Sequence, residues 1–225
     1  MTGNDVRENL RAVLATLPES VTLVAVSKFH PDDYIMAAYD EGQRMFGESR
    51  EQEIARKHAA LPKDIRWHFI GHLQTNKVKQ VVPYITMIES VDSFKLLKEI
   101  DKQAAACGRQ TDVLLEIHIA QEATKYGFAP DDCRDMLDGG QWRDLHNVRI
   151  CGVMAMASLT DDEEQIKREF AEAAAFFDEL KAKHFADSDA FRVKSWGMSD
   201  DYPIAVKNGS NMVRVGTKIF GPRVY

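Results

Sequence analysis

Val21-Thr22-Leu23-Val24-Ala25-Val26-Ser27-Lys28, followed by Phe29-His30-Pro31, is an apolar, β-branched run of strand length with a lysine as its last residue and a proline just beyond. A lysine costs stability on a buried strand unless its charge is paired or its pKa is lowered. Desolvated, such an amine can form a Schiff base with a carbonyl compound. The plainer reading is that Lys28 marks the point where the strand reaches water; the stretch alone favours it, and the rest of the chain reverses that preference.

Working outward, residues 4 to 17 read as an amphipathic helix with Val6, Leu10, Val13, Leu14 and Leu17 on one face, stopped by Pro18. After the first strand, Pro31-Asp32-Asp33 opens a helix to about Glu41, and Gly42 ends it. Strands are predicted at 43–46, 66–70, 84–88, 112–119, 148–154, 191–196 and 211–215. Helices are predicted between them at about 50–60, 73–81, 93–107, 131–137, 160–184 and 200–208. Thr160-Asp161-Asp162-Glu163 reads as a capping box for the longest helix. The loop to Phe128 is longer than its neighbours.

Strand and helix alternate throughout, with no composition break and no linker, which argues for parallel strands joined by crossover helices. The expected fold is α/β: a single-domain (β/α)8 (TIM) barrel over residues 1–225, with residues 1–20 forming an extra N-terminal helix packed on it. A doubly wound open sheet would be better supported by a glycine fingerprint after the first strand, where Lys28-Phe29-His30 stands instead.

Composition narrows the function. With 225 residues, 44% hydrophobic and 28% charged, the chain reads as a globular protein. A net charge of -6 argues against nucleic acid as a partner. Cys107, Cys133 and Cys151 are odd in number and widely spaced, which suits a reducing compartment rather than a disulfide framework. No apolar run approaches the roughly 18 residues that span a membrane, and Met1 to Asp5 lack the blocks of a signal peptide. A cytoplasmic location is expected.

In a barrel, function sits on the loops after the strands. Polar residues predicted there are Lys28, Glu48, His68, His72, Glu116, His118, Ser195, Ser199, Arg214 and Thr217. Gly197-Met198-Ser199 before a helix and Arg214-Val215-Gly216-Thr217 after the last strand occupy the usual phosphate loops of such barrels. Gly216 would allow close backbone approach, and Ser199 and Thr217 would add hydroxyl donors. Against this, Ser199 also reads as a plain helix cap, and Asp200 and Asp201 oppose an anion unless they point away. A metal reading competes, with His68, His72, His118 and Glu48 converging at the mouth, but His68-Phe69-Ile70-Gly71-His72 lacks the glutamate of HExxH.

Together Val24-Ala25-Val26-Ser27-Lys28, Phe46-Gly47-Glu48, Trp67-His68-Phe69-Ile70-Gly71, Leu73-Gln74-Thr75-Asn76-Lys77, Gly152-Val153-Met154-Ala155-Met156, Gly197-Met198-Ser199-Asp200-Asp201 and Met212 to Gly221 resemble the pyridoxal 5'-phosphate homeostasis protein family. The resemblance implies a barrel like the N-terminal domain of alanine racemase. It implies pyridoxal 5'-phosphate held as a Schiff base on Lys28, the phosphate on Ser199, Gly216 and Thr217, Arg214 facing the pyridine nitrogen, and His68 among the cofactor-binding residues. Lys77 and Lys125 match lysines thought to take part in cofactor exchange. Ser49 departs from the family's usual asparagine, His72 from a common proline and Tyr126 from a frequent serine.

The implied function is a binding and delivery protein in vitamin B6 and amino/keto acid homeostasis, a monomer that meets apo-enzymes transiently, without strong turnover of its own. Arginine stays protonated, so Arg214 at the ring nitrogen would weaken the cofactor as an electron sink. The alternatives are a racemase-like enzyme using the same Schiff base, and a class I aldolase in which Lys28 attacks a phosphorylated sugar.

Overall fold

The strands are short, from three residues in β7 to eight in β6, and almost every residue in them is hidden from water. The structure is a computed structural model that describes residues 1–120 and 126–222. β1 (Thr22–Val26), β2 (Met45–Glu48), β3 (Arg66–Phe69), β4 (Met87–Val91), β5 (Thr111–Ile117), β6 (Val148–Ala155), β7 (Val193–Ser195) and β8 (Met212–Val215) pair in parallel and in sequence order into a closed barrel. β8 returns to β1 with Val24 opposite Arg214, and β1 meets β2 with Val26 opposite Gly47. The crossovers carry α2 (Asp32–Asp40), α3 (Glu51–Ala60), α4 (Val78–Val81), α5 (Phe94–Ala106), α6 (Pro130–Asp138), α7 (Glu163–His184) and α8 (Tyr202–Lys207), and a short α9 (Thr217–Phe220) follows β8. This is the expected (β/α)8 barrel.

Burial on both faces explains why the strands read as continuous apolar runs rather than as alternating ones. The main core contains Phe46, Trp67 and Phe69 of the strands with Ile54, Leu97, Phe170, Phe177 and Leu180 of the helices. A smaller, separate cluster of Met87, Leu114, Cys151 and Met154 packs together. Gly152 is set by close packing: a Cβ there would lie 1.9 Å from the Val193 carbonyl oxygen, so the β6–β7 contact admits nothing larger.

The first helix, α1 (Gly3–Leu14), is closed by a capping box in which Thr2 Oγ1 accepts the Asp5 N–H and Asp5 returns the bond to the Thr2 N–H. Its apolar stripe buries Val6, Leu10 and Val13. Leu10→Ala would cost about 3 kcal/mol through lost burial and the cavity left behind.

Local boundaries differ from expectation where polar residues lie inside. β4 runs three residues later than predicted, because Tyr84 turns back onto Val81 and because Glu89 and Ser90 are buried strand residues. β2 extends to Glu48 rather than stopping at Phe46. For α7 the cap is Asp162, whose side chain accepts the Glu164 and Gln165 N–H groups, while Thr160 accepts only the Asp162 N–H. The predicted box therefore shifts by two residues and loses its reciprocal bond.

Candidate functional site

Lys28 lies two residues beyond β1, at the C-terminal mouth of the barrel. Ser27 continues the ladder by donating its N–H to the Gly47 carbonyl at 3.0 Å. The Ser27 carbonyl accepts from Lys57 Nζ at 2.8 Å, and its hydroxyl donates to Glu48 Oε1 at 2.6 Å. On the other side, the Phe29 N–H donates to Glu53 Oε1 at 2.8 Å. Lys57 of α3 joins both ends, bonding Glu48 Oε1 at 2.8 Å and Glu53 Oε1 at 2.7 Å. Phe29 is held at φ 65°, a left-handed conformation that costs energy for a bulky residue, with the Arg50 guanidinium 4.5 Å from its ring centre. The backbone around Lys28 is thus fixed by a buried ionic cluster. Burial pushes the Glu48 carboxyl up to about 7, opposed by Lys57.

Lys28 opens onto a cavity of about 230 Å³ whose other walls include Val26, Ile70, Met156, Ser199, Arg214, Gly216 and Thr217. Of the residues expected to bind the cofactor, the structure brings Lys28, Ser199, Arg214, Gly216 and Thr217 to this one space. Ser199 Oγ accepts the N–H groups of Gly216 at 3.3 Å and Lys218 at 3.4 Å, tying the two loops together. A Cβ on Gly216 would lie 3.2 Å from both Cβ and the carbonyl oxygen of Val26, so glycine lets the last loop sit close against the end of β1 at the cavity wall. Gly197, at φ 97°, keeps the neighbouring loop against α8: a Cβ there would sit 2.6 Å from Ala205 Cβ. The two acids that argued against an anion behave differently. Asp201 turns back to accept the Met198 N–H at 2.5 Å, and Asp200 is exposed at the cavity edge.

Inside the barrel a second buried chain crosses four strands. His68 Nδ1 donates to Glu89 Oε1 at 2.6 Å, Ser195 Oγ donates to Glu89 Oε2 at 2.6 Å, and Arg214 Nη1 donates to Ser195 Oγ at 2.6 Å and to its carbonyl at 2.8 Å. Arg214 Nη2 reaches the Ala155 carbonyl at 3.0 Å. Burial would raise the Glu89 carboxyl, but His68, Arg214 and Ser195 together hold it below its ordinary value. His68 therefore does not line the cavity; it orients Glu89, which in turn braces Ser195 and Arg214. Glu89 and Lys57, which hydrogen-bond to the residues around the cavity, were not singled out from the sequence. The Glu53–Lys57 spacing of four was the one visible signal.

The remaining residues at the mouth are dispersed. His72 bonds Asp92 Oδ2 at 3.0 Å and stacks on Tyr126 at 3.9 Å, while His118 Nε2 bonds the Ala120 carbonyl at 2.8 Å. With His68 on Glu89 and Glu48 on Lys57, the residues of the metal reading each have another partner, and among the described residues no group of three or more His, Cys, Asp or Glu could hold a metal ion. Lys77 pairs with Glu51 at 2.9 Å, holding the Glu51 carboxyl below its ordinary value. Lys125 lies outside the described residues. Ser49 stands against Gly71, where a Cβ would lie 2.6 Å from that of Ser49. No helix among the described residues is long and apolar enough to cross a membrane.

A lysine at the mouth of a parallel barrel, facing a glycine-lined loop pair and a buried arginine on the last strand, defines an alanine-racemase-type barrel, and the family model described as alanine racemase, N-terminal domain, matches residues 3–224. An alanine racemase of Clostridium difficile shares the fold with a TM-score of 0.80 at 16% identity, covering 97% of this chain and 57% of that one. Relatives at higher identity narrow the assignment. The pyridoxal phosphate homeostasis protein of Synechocystis is 38% identical over 220 residues, covering 94% of this chain and 96% of that protein. PipY of Synechococcus elongatus, solved without pyridoxal phosphate, superposes with a TM-score of 0.90 at 38% identity, covering 96% of this chain and all of that one. The same protein solved with pyridoxal phosphate bound gives 0.86 at 37% identity over the same shares. The chain belongs to the pyridoxal phosphate homeostasis protein family.

Proposed function

We propose that the 230 Å³ cavity holds pyridoxal 5'-phosphate and that the protein takes part in vitamin B6 and amino/keto acid homeostasis by carrying this cofactor rather than by turning over a substrate. The observation that carries the reading is the convergence of Lys28, Arg214 and the Gly216 cradle on one space, with the Ser199 and Thr217 hydroxyls beside it. The cavity is below the usual size of a drug-sized pocket, which suits a single-ring ligand. The solved relative with pyridoxal phosphate bound supports the same choice.

When bound, the cofactor would supply an aldehyde carbon, and Lys28 is the residue whose amine would hold it. The protein's own part is positional. Lys57 and Glu53 keep the backbone on either side of Lys28 in place, and Gly216 leaves room for a phosphate that Ser199 and Thr217 would bind through their hydroxyls. Arg214, with its donors directed to the Ser195 and Ala155 carbonyls, is the residue proposed for the ring nitrogen. A fixed cation there disfavours ring protonation and with it carbanion chemistry. Within this reading the chain works as a cytoplasmic monomer that meets recipient apo-enzymes transiently, and its charge of -6 weighs against nucleic acid.

The test is the visible spectrum of the purified protein before and after borohydride, with peptide mass mapping. A band lost on reduction, with a pyridoxyl group on Lys28, is expected. A protein that fails to take up added pyridoxal phosphate overturns the reading.

A further inference from the structure

The loops after β6 and β7 enclose a second cavity of about 410 Å³, which shares Met156, Met198 and Asp200 with the first. Its walls are largely apolar, with Leu159, Ile166 of α7 and Ile204 of α8. Leu159 is 91% exposed and Met198 39%, while Ile204 is half-buried and Ile166 is buried behind them. Every charged side chain lining it among the described residues is an acid: Asp161, Glu163, Asp200 and Asp201. Asp201 is occupied with the Met198 N–H, whereas Asp161, Glu163 and Asp200 are exposed. Apolar walls under an acidic rim select a particular chemistry. Among the described residues the charge that a carboxylate or phosphate would meet there is like charge, and a polar cation would leave the walls uncovered.

We propose that this second cavity binds small primary amines bearing an apolar chain, with the ammonium at the rim of Asp161 and Glu163 and the chain against Leu159, Ile166 and Ile204. Because the two cavities share a wall, the amine is held next to the first. That it would there lie beside an aldehyde-bearing cofactor rests on the function proposed above; the binding itself does not.

Calorimetric titration of the full chain carrying Lys28→Met separates the two, since Lys28 does not line the second cavity and the variant cannot hold the cofactor covalently. Ethylamine, butylamine, hexylamine and hexanoate are the probes, at pH 7.5. Affinity is expected to rise about threefold to fourfold per methylene along the amines, with hexanoate not binding. Ile204→Arg, placing a cation on the apolar wall, should abolish hexylamine binding. Asp161→Asn with Glu163→Gln should weaken it about threefold to tenfold, and this pair gives the answer if the arginine variant does not fold. Equal binding of hexanoate, no dependence on chain length, or undiminished binding in the acid-to-amide pair would each overturn the proposal. Failure of the unaltered chain to take up pyridoxal phosphate would count against the first cavity alone.

Discussion

Lys57 Nζ lies 2.8 Å from the carbonyl oxygen of Ser27, the residue directly before Lys28. The same ammonium lies 2.7 Å from the Glu53 oxygen that accepts the Phe29 N–H. One buried charge therefore governs the chain on both sides of the proposed anchor, from a helix that contributes nothing to the cavity wall.

Lys57→Met should be costly for stability, because it leaves Glu48 and Glu53 facing each other without their cation. A loss of about 3 to 5 kcal/mol is expected by urea denaturation at pH 8. Burial has already pushed Glu48 up to about 7, so at pH 6 it can take up a proton and the loss should be smaller. An equal loss at both pH values would show that Lys57 acts through packing rather than charge.

Gly216→Ala and Gly197→Ala should separate binding from folding. Gly216 has a negative φ of -116°, outside the left-handed region, and its Cβ would meet Val26 Cβ and carbonyl oxygen at 3.2 Å, a contact relieved by a small shift of the loop. Its thermal midpoint should hardly move, while affinity for pyridoxal phosphate falls about tenfold, equivalent to roughly 1.4 kcal/mol. Gly197→Ala combines a left-handed backbone with a 2.6 Å contact and should cost more than about 2 kcal/mol of stability. Fluorescence titration and thermal melts of the two variants make the comparison.

Ser195→Ala removes the hydroxyl that joins Glu89 to Arg214. The buried carboxylate then loses one bond and the guanidinium another, a destabilisation of about 1 to 3 kcal/mol. If Arg214 tunes the bound cofactor, the position of the visible band in the variant should also shift. An unchanged band with reduced stability would confine Ser195 to a structural role.

Burial, with Asp92 nearby, raises the Glu116 carboxyl to about 7, above the 4.5 of a free carboxyl. Between those values the folded protein keeps a proton that the unfolded chain has released, so stability falls as pH rises through that window. Glu116→Gln removes this penalty. It should stabilise the protein at pH 8 by an amount on the order of 3 kcal/mol, with little effect at pH 4.5. Thermal melts of both proteins from pH 4.5 to 8 give the slope directly.

The barrel was legible because strands buried on both faces advertise themselves as apolar runs, and the glycine and hydroxyl residues of the two last loops stood at recognisable places. What escaped the sequence was polar. Glu89 lies in the middle of β4 but looks like the end of a strand, so the predicted strand stopped one residue short of it. Glu48 likewise appeared to lie beyond β2. Lys57 looked like one more solvated charge on a polar helix, and only the folded chain brings Ser27, Glu48 and Glu53 around it. Apolar patterns are local and can be read along the chain, whereas a buried charge is justified by partners distant in sequence. His68 shows the same limit: its place at a strand end was visible, but its bond to Glu89 was not.

The bonds that aim Arg214 are also bonds between strands, since its fork runs from β8 to the carbonyls of Ser195 on β7 and Ala155 on β6. Orientation of the guanidinium and closure of that side of the barrel are one set of contacts. In a loaded protein the hue of the chromophore would then act as a strain gauge on the seam between β6 and β8, drifting when the seam loosens even while the surrounding helices keep their far-ultraviolet signal.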